Sequence, residues 1–173
     1  MTKTNYRSIF AFILTLGFIT GCNATTSPTT GTTQTESSMT AMVNGSAWAS
    51  TGVPLVNGGA LAEFNTPSAG NITITGTSGS LSGIQTIGIL LLKPHLGADS
   101  LGTGNTGTFT YGTNAKSSYL TVGFNTGSVN ITKYDTVNRL ISGTFSFVAH
   151  QIDTPAHTIT VTNGSFLDVG WSK

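Results

Sequence analysis

The chain has 173 residues, of which 22 are glycine, one is cysteine and only 8% are charged. A lone cysteine excludes a disulfide-stapled scaffold. Seven basic against six acidic residues exclude the electrostatic footprint of a nucleic-acid binder.

Lys3 and Arg7 precede an apolar run from Ile9 to Ile19. At about 11 residues the run falls short of the ~20 that a spanning helix needs, and it has the pattern of an export signal. It ends on Ile19-Thr20-Gly21-Cys22, which resembles a bacterial lipobox: a branched apolar residue, two small residues and a cysteine. The resemblance implies diacylglycerol on the Cys22 sulfur, cleavage before Cys22 and acylation of the new amino terminus. Residues 1–22 are then a lipoprotein signal peptide, and the membrane is the first expected partner, through the lipid anchor. Two or more acyl chains make such anchoring durable.

Asn23, not aspartate, follows the cysteine, and no acidic run comes after it. By analogy with bacterial sorting rules, the chain is expected in the cell envelope, at the outer membrane facing the periplasm. Residues 23–38 are rich in Thr and Ser and lack apolar periodicity. They read as a flexible tether with a reach on the order of 50 Å when extended.

Residues 39–173 suit one domain; at ~135 residues they are enough for a sizeable core. They show no helical 3.6-residue stripe. Met39–Val43 and Ser46–Ser50 flank Asn44-Gly45, a pair that tolerates positive φ at both positions and favours a type I′ hairpin. That turn sets Ala41 opposite Trp48, which reads as a core plug. Pro54 and Asn57-Gly58-Gly59 break the next segment, and Ala60–Phe64 forms a short strand. Asn71–Thr77 alternates, with Ile72 and Ile74 on one face. Ile84–Lys93 contains IGILLL, a run expected of a central strand covered on both faces and ended by Pro94. His95–Thr106 reads as a long loop. Gly107–Tyr111 is a strand with Phe109 and Tyr111 on one face. Tyr119–Phe124 is another, with Leu120, Val122 and Phe124 inward, and Asn125-Thr126 turns the chain.

Gly127–Gly170 carries the clearest period-two pattern. Val129, Ile131, Ile141, Phe145, Phe147, Ile159 and Val161 are all odd-numbered. Turn chemistry at 135–138, 153–156 and Asn163-Gly164 divides the stretch into four consecutive antiparallel strands. A type I′ turn at Asn163-Gly164 places Val161 opposite Phe166. It also points Asp168 at the phenylalanine face, a conflict that a bulge or a sheet edge would relieve. The whole is expected to be all-β: a single antiparallel β-sandwich-like or partly closed barrel domain of about nine to eleven strands.

Four of these pieces together carry a family resemblance. They are Asn44-Gly45 with Trp48, GSVNITKYD at Gly127–Asp135, ISGTFSF at Ile141–Phe147 and TNGSF at Thr162–Phe166. The chain resembles a family of small Bacteroidetes lipoproteins defined as a domain of unknown function. Ser46 stands where a basic residue is expected after the first Asn-Gly. The resemblance implies a β-rich envelope lipoprotein and supplies no catalytic or binding residues.

Candidate chemistry is sparse. Parity places His150 and His157 on opposite faces, so no metal pair is expected of them, and His95 falls in a loop. The acids Glu36, Glu63, Asp99, Asp135 and Asp153 fall in turns, loops, the tether or a short strand, with no calcium-loop spacing. Asp168 is the one candidate for a perturbed carboxylate, against the plainer reading of a strand-end acid bonded to nearby amides. There is no G-x-S-x-G elbow, and Gly102-Thr103-Gly104 lacks both the third glycine and the helix of a nucleotide loop. No cofactor is expected. Tyr111, Tyr119, Tyr134, Trp48 and Trp171 read as packing residues and not as a sugar platform. Asp99-Ser100-Leu101 and Asp135-Thr136-Val137 match an O-glycosylation pattern known in Bacteroidetes, which makes Ser100 and Thr136 candidate acceptors in expected loops. The expected role is a non-enzymatic binding or structural module with a protein or glycan partner. The alternatives are a small apolar-ligand-binding barrel and a hydrolase with a cleft of convergent polar residues.

Overall fold

The chain divides into two units, Met1–Thr33 and Gln34–Lys173. The computed structural model describes residues 38–51, 60–65, 70–79, 83–112 and 117–172. The lipobox with Cys22, the tether, Pro54 and the Asn57–Gly59 run lie outside the described residues.

Eleven strands and no α-helix are described: β1 (Ser38–Val43), β2 (Ser46–Ala49), β3 (Ala60–Asn65), β4 (Asn71–Ser78), β5 (Gln85–Leu92), β6 (Gly97–Leu101), β7 (Thr106–Tyr111), β8 (Ser118–Leu120), β9 (Gly127–Asp135), β10 (Leu140–Gln151) and β11 (Thr158–Ser172). The all-β expectation holds. All eleven strands belong to one sheet, β2-β1-β11-β3-β4-β5-β7-β8-β10-β9-β6, with a further β11–β10 pairing that folds it over on itself. Folded in this way it forms two sheets packed face to face, β2-β1-β11-β10-β9-β6 and β3-β4-β5-β7-β8. The two longest strands join them. The end of β10 leaves β9 and pairs with β8, through His150↔Leu120 and Gln151↔Tyr119. The end of β11 leaves β1 and pairs with β3, through Trp171↔Ala62 and Ser172↔Glu63. These links close a ring of seven strands, β3-β4-β5-β7-β8-β10-β11. The β11–β3 pair is parallel; the other ladders are antiparallel.

Between the sheets lies one apolar core, in which Ile72, Ile74, Ile87, Ile89, Val129, Ile141, Val161 and Phe166 are among the buried residues. Phe145 stacks on Phe147 and on Phe166 with centroids 6.1 and 6.2 Å apart. Each such pair adds ~0.5–1.5 kcal/mol to its area burial. The sheets approach closely where one offers no side chain. The Phe147 ring lies over Gly107, and Met39 and Trp48 lie over Gly76.

Asn44 (φ 48°) and Gly45 (φ 79°) turn the first hairpin with Ala41 opposite Trp48, as the sequence predicts. Asn44 also extends the β1–β11 ladder. Its N–H donates to the Thr160 carbonyl at 2.8 Å, and its Oδ1 accepts from the Thr160 N–H at 2.9 Å.

The second Asn-Gly pair behaves differently, and the four-strand reading of 127–170 is corrected to three. β11 runs unbroken through Asn163 and Gly164. Asn163 (φ 50°) sits instead in a β-bulge: Phe147 faces Val161, but Phe145 faces Gly164, so β11 carries one extra residue. A second bulge at Leu167–Asp168 (Asp168 φ 46°) lies between Gly143↔Phe166 and Ile141↔Val169. Each bulge shifts side-chain parity by one. Odd Val161, even Gly164 and Phe166, and odd Val169 and Trp171 therefore share one buried face. A parity change that reads as a turn in the sequence is met by a bulge because both edges of β11 are occupied. β1 and β10 hold it extended through 161–167.

Three other expectations are corrected. His95–Thr106 is not all loop, since β6 lies within it, paired along β9 with Leu101 buried. β5 is not covered on both faces: Ile87, Ile89 and Leu91 face the core, while Leu90 is part-exposed and Leu92 exposed. β8 ends at Leu120, so Phe124 is not inward; it is exposed and stacked on the His150 ring at 3.7 Å.

Candidate functional site

The outer face of the six-stranded sheet follows from the core registers. With Phe145, Phe147 and Val129 inward, the even-numbered neighbours on β9 and β10 must point out. Asn130 lies opposite Thr144, and Ser128 opposite Ser146. On β11 the bulge brings Asn163 and Ser165 to the same face. Ser128, Asn130, Thr144, Ser146, Asn163 and Ser165 surround a shallow depression of about 380 Å³, whose floor includes Phe145 and Gly164.

Gly164 is required there. A Cβ at this position would stand 2.4 Å from the Phe145 ring. A second depression of about 440 Å³ adjoins the first through Asn163 and is lined by Thr40, Met42, Ala47 and Ala49 on β1 and β2. The Thr40 and Ser165 hydroxyls bond to each other at 2.9 Å across the boundary. The side chains of Ser128, Asn130, Thr144, Ser146 and Asn163 bond to no other described residue. The lining therefore presents hydroxyls and amides that both donate and accept, held at fixed spacing by paired strands.

At the far end of this face, Lys133 Nζ donates to Asp168 Oδ1 at 2.8 Å, and Ser142 Oγ donates to the same oxygen at 3.2 Å. The Asp168 N–H in turn donates to Ser142 Oγ at 2.9 Å. The Lys133 ammonium holds the Asp168 carboxyl below its ordinary range, against partial burial, which acts the other way. The second bulge thus resolves the Asp168 conflict, turning the side chain outward onto a lysine. Its partners include a cation and a hydroxyl.

The remaining candidates are dispersed. His157 Nδ1 pairs with Gln151 Oε1 at 3.0 Å, so those two share a face. His150, next to Gln151, takes the other face and bonds the Pro155 carbonyl at 2.8 Å. The opposite-face expectation for the histidines therefore holds. Exposed His95 lies 3.6 Å from half-buried Asp99. Tyr134 stacks on buried Trp171 at 5.4 Å, and burial pushes the Tyr134 hydroxyl pKa up. Tyr119 tilts against Phe109, and Trp48 is buried. Among the described residues no group of three or more His, Cys, Asp or Glu side chains is placed to hold a metal.

Thr136 is exposed in the β9–β10 turn. Asp135 Oδ1 caps that turn by accepting from the Val137 and Asn138 N–H groups at 3.0 and 2.8 Å. The Asn138 side chain also donates to Asp135, and these bonds lower its pKa. Ser100 is exposed on edge strand β6 and not in a loop. It pairs with Ser128, at the rim of the depression.

Residues 35–170 match a domain of unknown function, DUF6252. The chain belongs to this family. No curated protein and no solved structure matches it. The DUF6252 match runs from before β1 to residue 170 of β11, two residues short of that strand's end, so the depression lies within it. Sequence reasoning missed the depression because it depends on the bulge at Asn163. The signal available was the parity change between Val161 and Phe166.

Proposed function

We propose that this DUF6252 chain is a lipid-anchored envelope lipoprotein of a Bacteroidetes bacterium. It acts as a non-enzymatic binding module whose contact surface is the outer face of the six-stranded sheet. One observation carries the contact surface: five hydrogen-bonding side chains without partners among the described residues, fixed on paired strands around one depression. Bulges re-aim side chains and are over-represented beside functional sites, and the one at Asn163 shapes this depression. The lining residues include no titratable side chain, which suits holding a partner better than moving protons. The lipobox at Ile19–Cys22, behind Lys3, Arg7 and an apolar run, supports anchoring on Cys22 at the outer membrane, facing the periplasm. Exposure of Thr136 and Ser100 supports both as O-glycan acceptors.

A photo-crosslinking residue in place of Thr144 should capture a partner in intact cells, and one in place of Thr75 on the other sheet should not. Equal capture at both positions would overturn the contact surface. Cys22→Ala should abolish palmitate labelling; labelled, membrane-bound material from that variant would overturn the anchor.

A further inference from the structure

We propose that the depressions around Asn163 take a neutral glycan chain laid from β9 across β10 and β11 towards β1 and β2, with Asn130 and Asn163 as its amide anchors. This rests on the reading of the same face as the contact surface.

Charge decides between ligand classes. Ser128, Asn130, Thr144, Ser146, Asn163 and Ser165 are uncharged. The nearest charges described on the face, Lys133 and Asp168, are bonded to each other at 2.8 Å and offer little net field. An anionic glycan or phosphate would meet no free cation in the lining, and a cationic peptide no free carboxylate. A protein partner needs a dry apolar centre to its interface, with aromatic or large aliphatic anchors. Among the described residues, the exposed large apolar ones, Leu92, Leu96, Tyr111, Phe124, Val137 and Leu167, all lie outside the lining of both depressions.

Sugar hydroxyls donate and accept, as do the Ser, Thr and Asn groups offered here. The second depression adds the apolar surface of Met42, Ala47 and Ala49, which fits the C–H faces of a sugar ring. Asn163 lines both depressions and so joins the polar and apolar subsites. An open, wet face of this kind holds a single chain weakly, with a dissociation constant of roughly 0.1–1 mM. Display of many copies on one membrane raises the effective strength against a long polymer.

The test uses the full chain, isotope-labelled and held in detergent micelles. It is titrated with linear neutral hexasaccharides of glucose, mannose or galactose, and with an acidic hexagalacturonate. At least one neutral hexasaccharide should shift the amide signals of 128–130, 144–146 and 163–165, together with those of 40–42 and 47–49 in the second depression, and hexagalacturonate should shift them less. Asn130→Ala and Asn163→Gly should each weaken binding roughly fivefold or more. Glycine keeps the left-handed backbone at 163, so loss of binding there reports the amide. Thr75→Ala on the other sheet should change nothing.

Preference for the acidic sugar, shifts elsewhere on the molecule, or no neutral binding at about 10 mM would overturn the glycan assignment. If Thr144 still captures a protein in cells, the contact surface stands and the ligand class alone falls. If it captures nothing as well, both fall.

Discussion

The two sheets solve the same packing problem with different ladders. In β3–β4–β5–β7 the registers run without interruption. Ile72, Ile74, Ile87 and Ile89 alternate inward, and Thr73, Thr75, Thr108 and Thr110 alternate outward. In β1–β11–β10–β9 the ladders are shifted at Asn163–Gly164, at Leu167–Asp168 and at Thr132. Both depressions described above lie on that sheet, and the regular one contributes no lining residue to either. The difference lies in the backbone and not in the composition, since both outer faces are rich in small polar side chains. A bulge changes which residues face out and how the surface curves; alternation alone does neither.

The largest test of this contrast is in the shared core. Phe147→Ala should cost ~3–5 kcal/mol, from lost transfer energy and the cavity left over Gly107. Thr144→Ala, on the outer face of the same strand, should cost well under ~1 kcal/mol. Equal losses in urea unfolding would mean that both faces of β10 are buried.

Next come two identical substitutions, one in each sheet. A Cβ at Gly164 meets the Phe145 ring at 2.4 Å, and one at Gly88 meets Thr108 Oγ1 at 2.6 Å. The ring is locked between Phe147 and Phe166, whereas Thr108 can rotate its hydroxyl away and lose one 3.3 Å bond to the Gly88 carbonyl. Gly164→Ala should cost ~1–3 kcal/mol and Gly88→Ala under ~1 kcal/mol. The reverse order would show the regular sheet to be the tighter one.

Smaller effects sharpen the role of the bulges. Asn163→Ala should cost ~1 kcal/mol through left-handed strain, and Asn163→Gly should cost less. Equal urea midpoints for the two variants would remove backbone strain from the account. Asp168→Asn should have the smallest effect, under ~1 kcal/mol, because the pair it breaks is open to water. Its pH dependence has a definite sign. The folded carboxyl titrates below its ordinary value, so the bond contributes fully at neutral pH and is lost as the pH falls through the folded value, below ~4. The penalty of Asp168→Asn should therefore be present at pH 7 and shrink at pH 2.5. A constant penalty would mean that charge is not what holds the bulge.

Much of the fold is legible in the residues themselves. The Asn44-Gly45 hairpin, the inward Ile72 and Ile74, and the shared buried face of Val129, Phe145, Phe147 and Val161 all follow from local turn chemistry and alternation. The second Asn-Gly pair is where such reasoning fails. A left-handed Asn serves a two-residue turn and a bulge equally well, and the choice is made by neighbours far away in sequence. At Asn44 the chain can fold back on itself. At Asn163 the ladders to β1 and β10 continue on both sides and hold the strand straight. β6 is hidden for a related reason: its short sequence, GADSL, has no apolar alternation and pairs along the edge that β9 offers. The depression inherits this nonlocality, since its residues come from three strands and its shape from the bulge.

One topological feature has a kinetic side. β11 pairs with β10, β1 and β3, and of the eleven strands it is the last to be synthesised. Thr40 and Ser165 meet across 125 positions of sequence. At ~5–20 residues per second, β1 waits about 6–25 s on the ribosome for its partner. During that time the seven-strand ring cannot close, so neither β1 nor β3 can gain its β11 neighbour. Long-range closure of this sort also slows folding once the chain is complete, toward the millisecond-to-second range. A chain exported by the proposed route must stay threadable until it has crossed the membrane. Under that proposal, a fold that closes only when its eleventh strand arrives would keep the chain threadable for as long as β11 is missing.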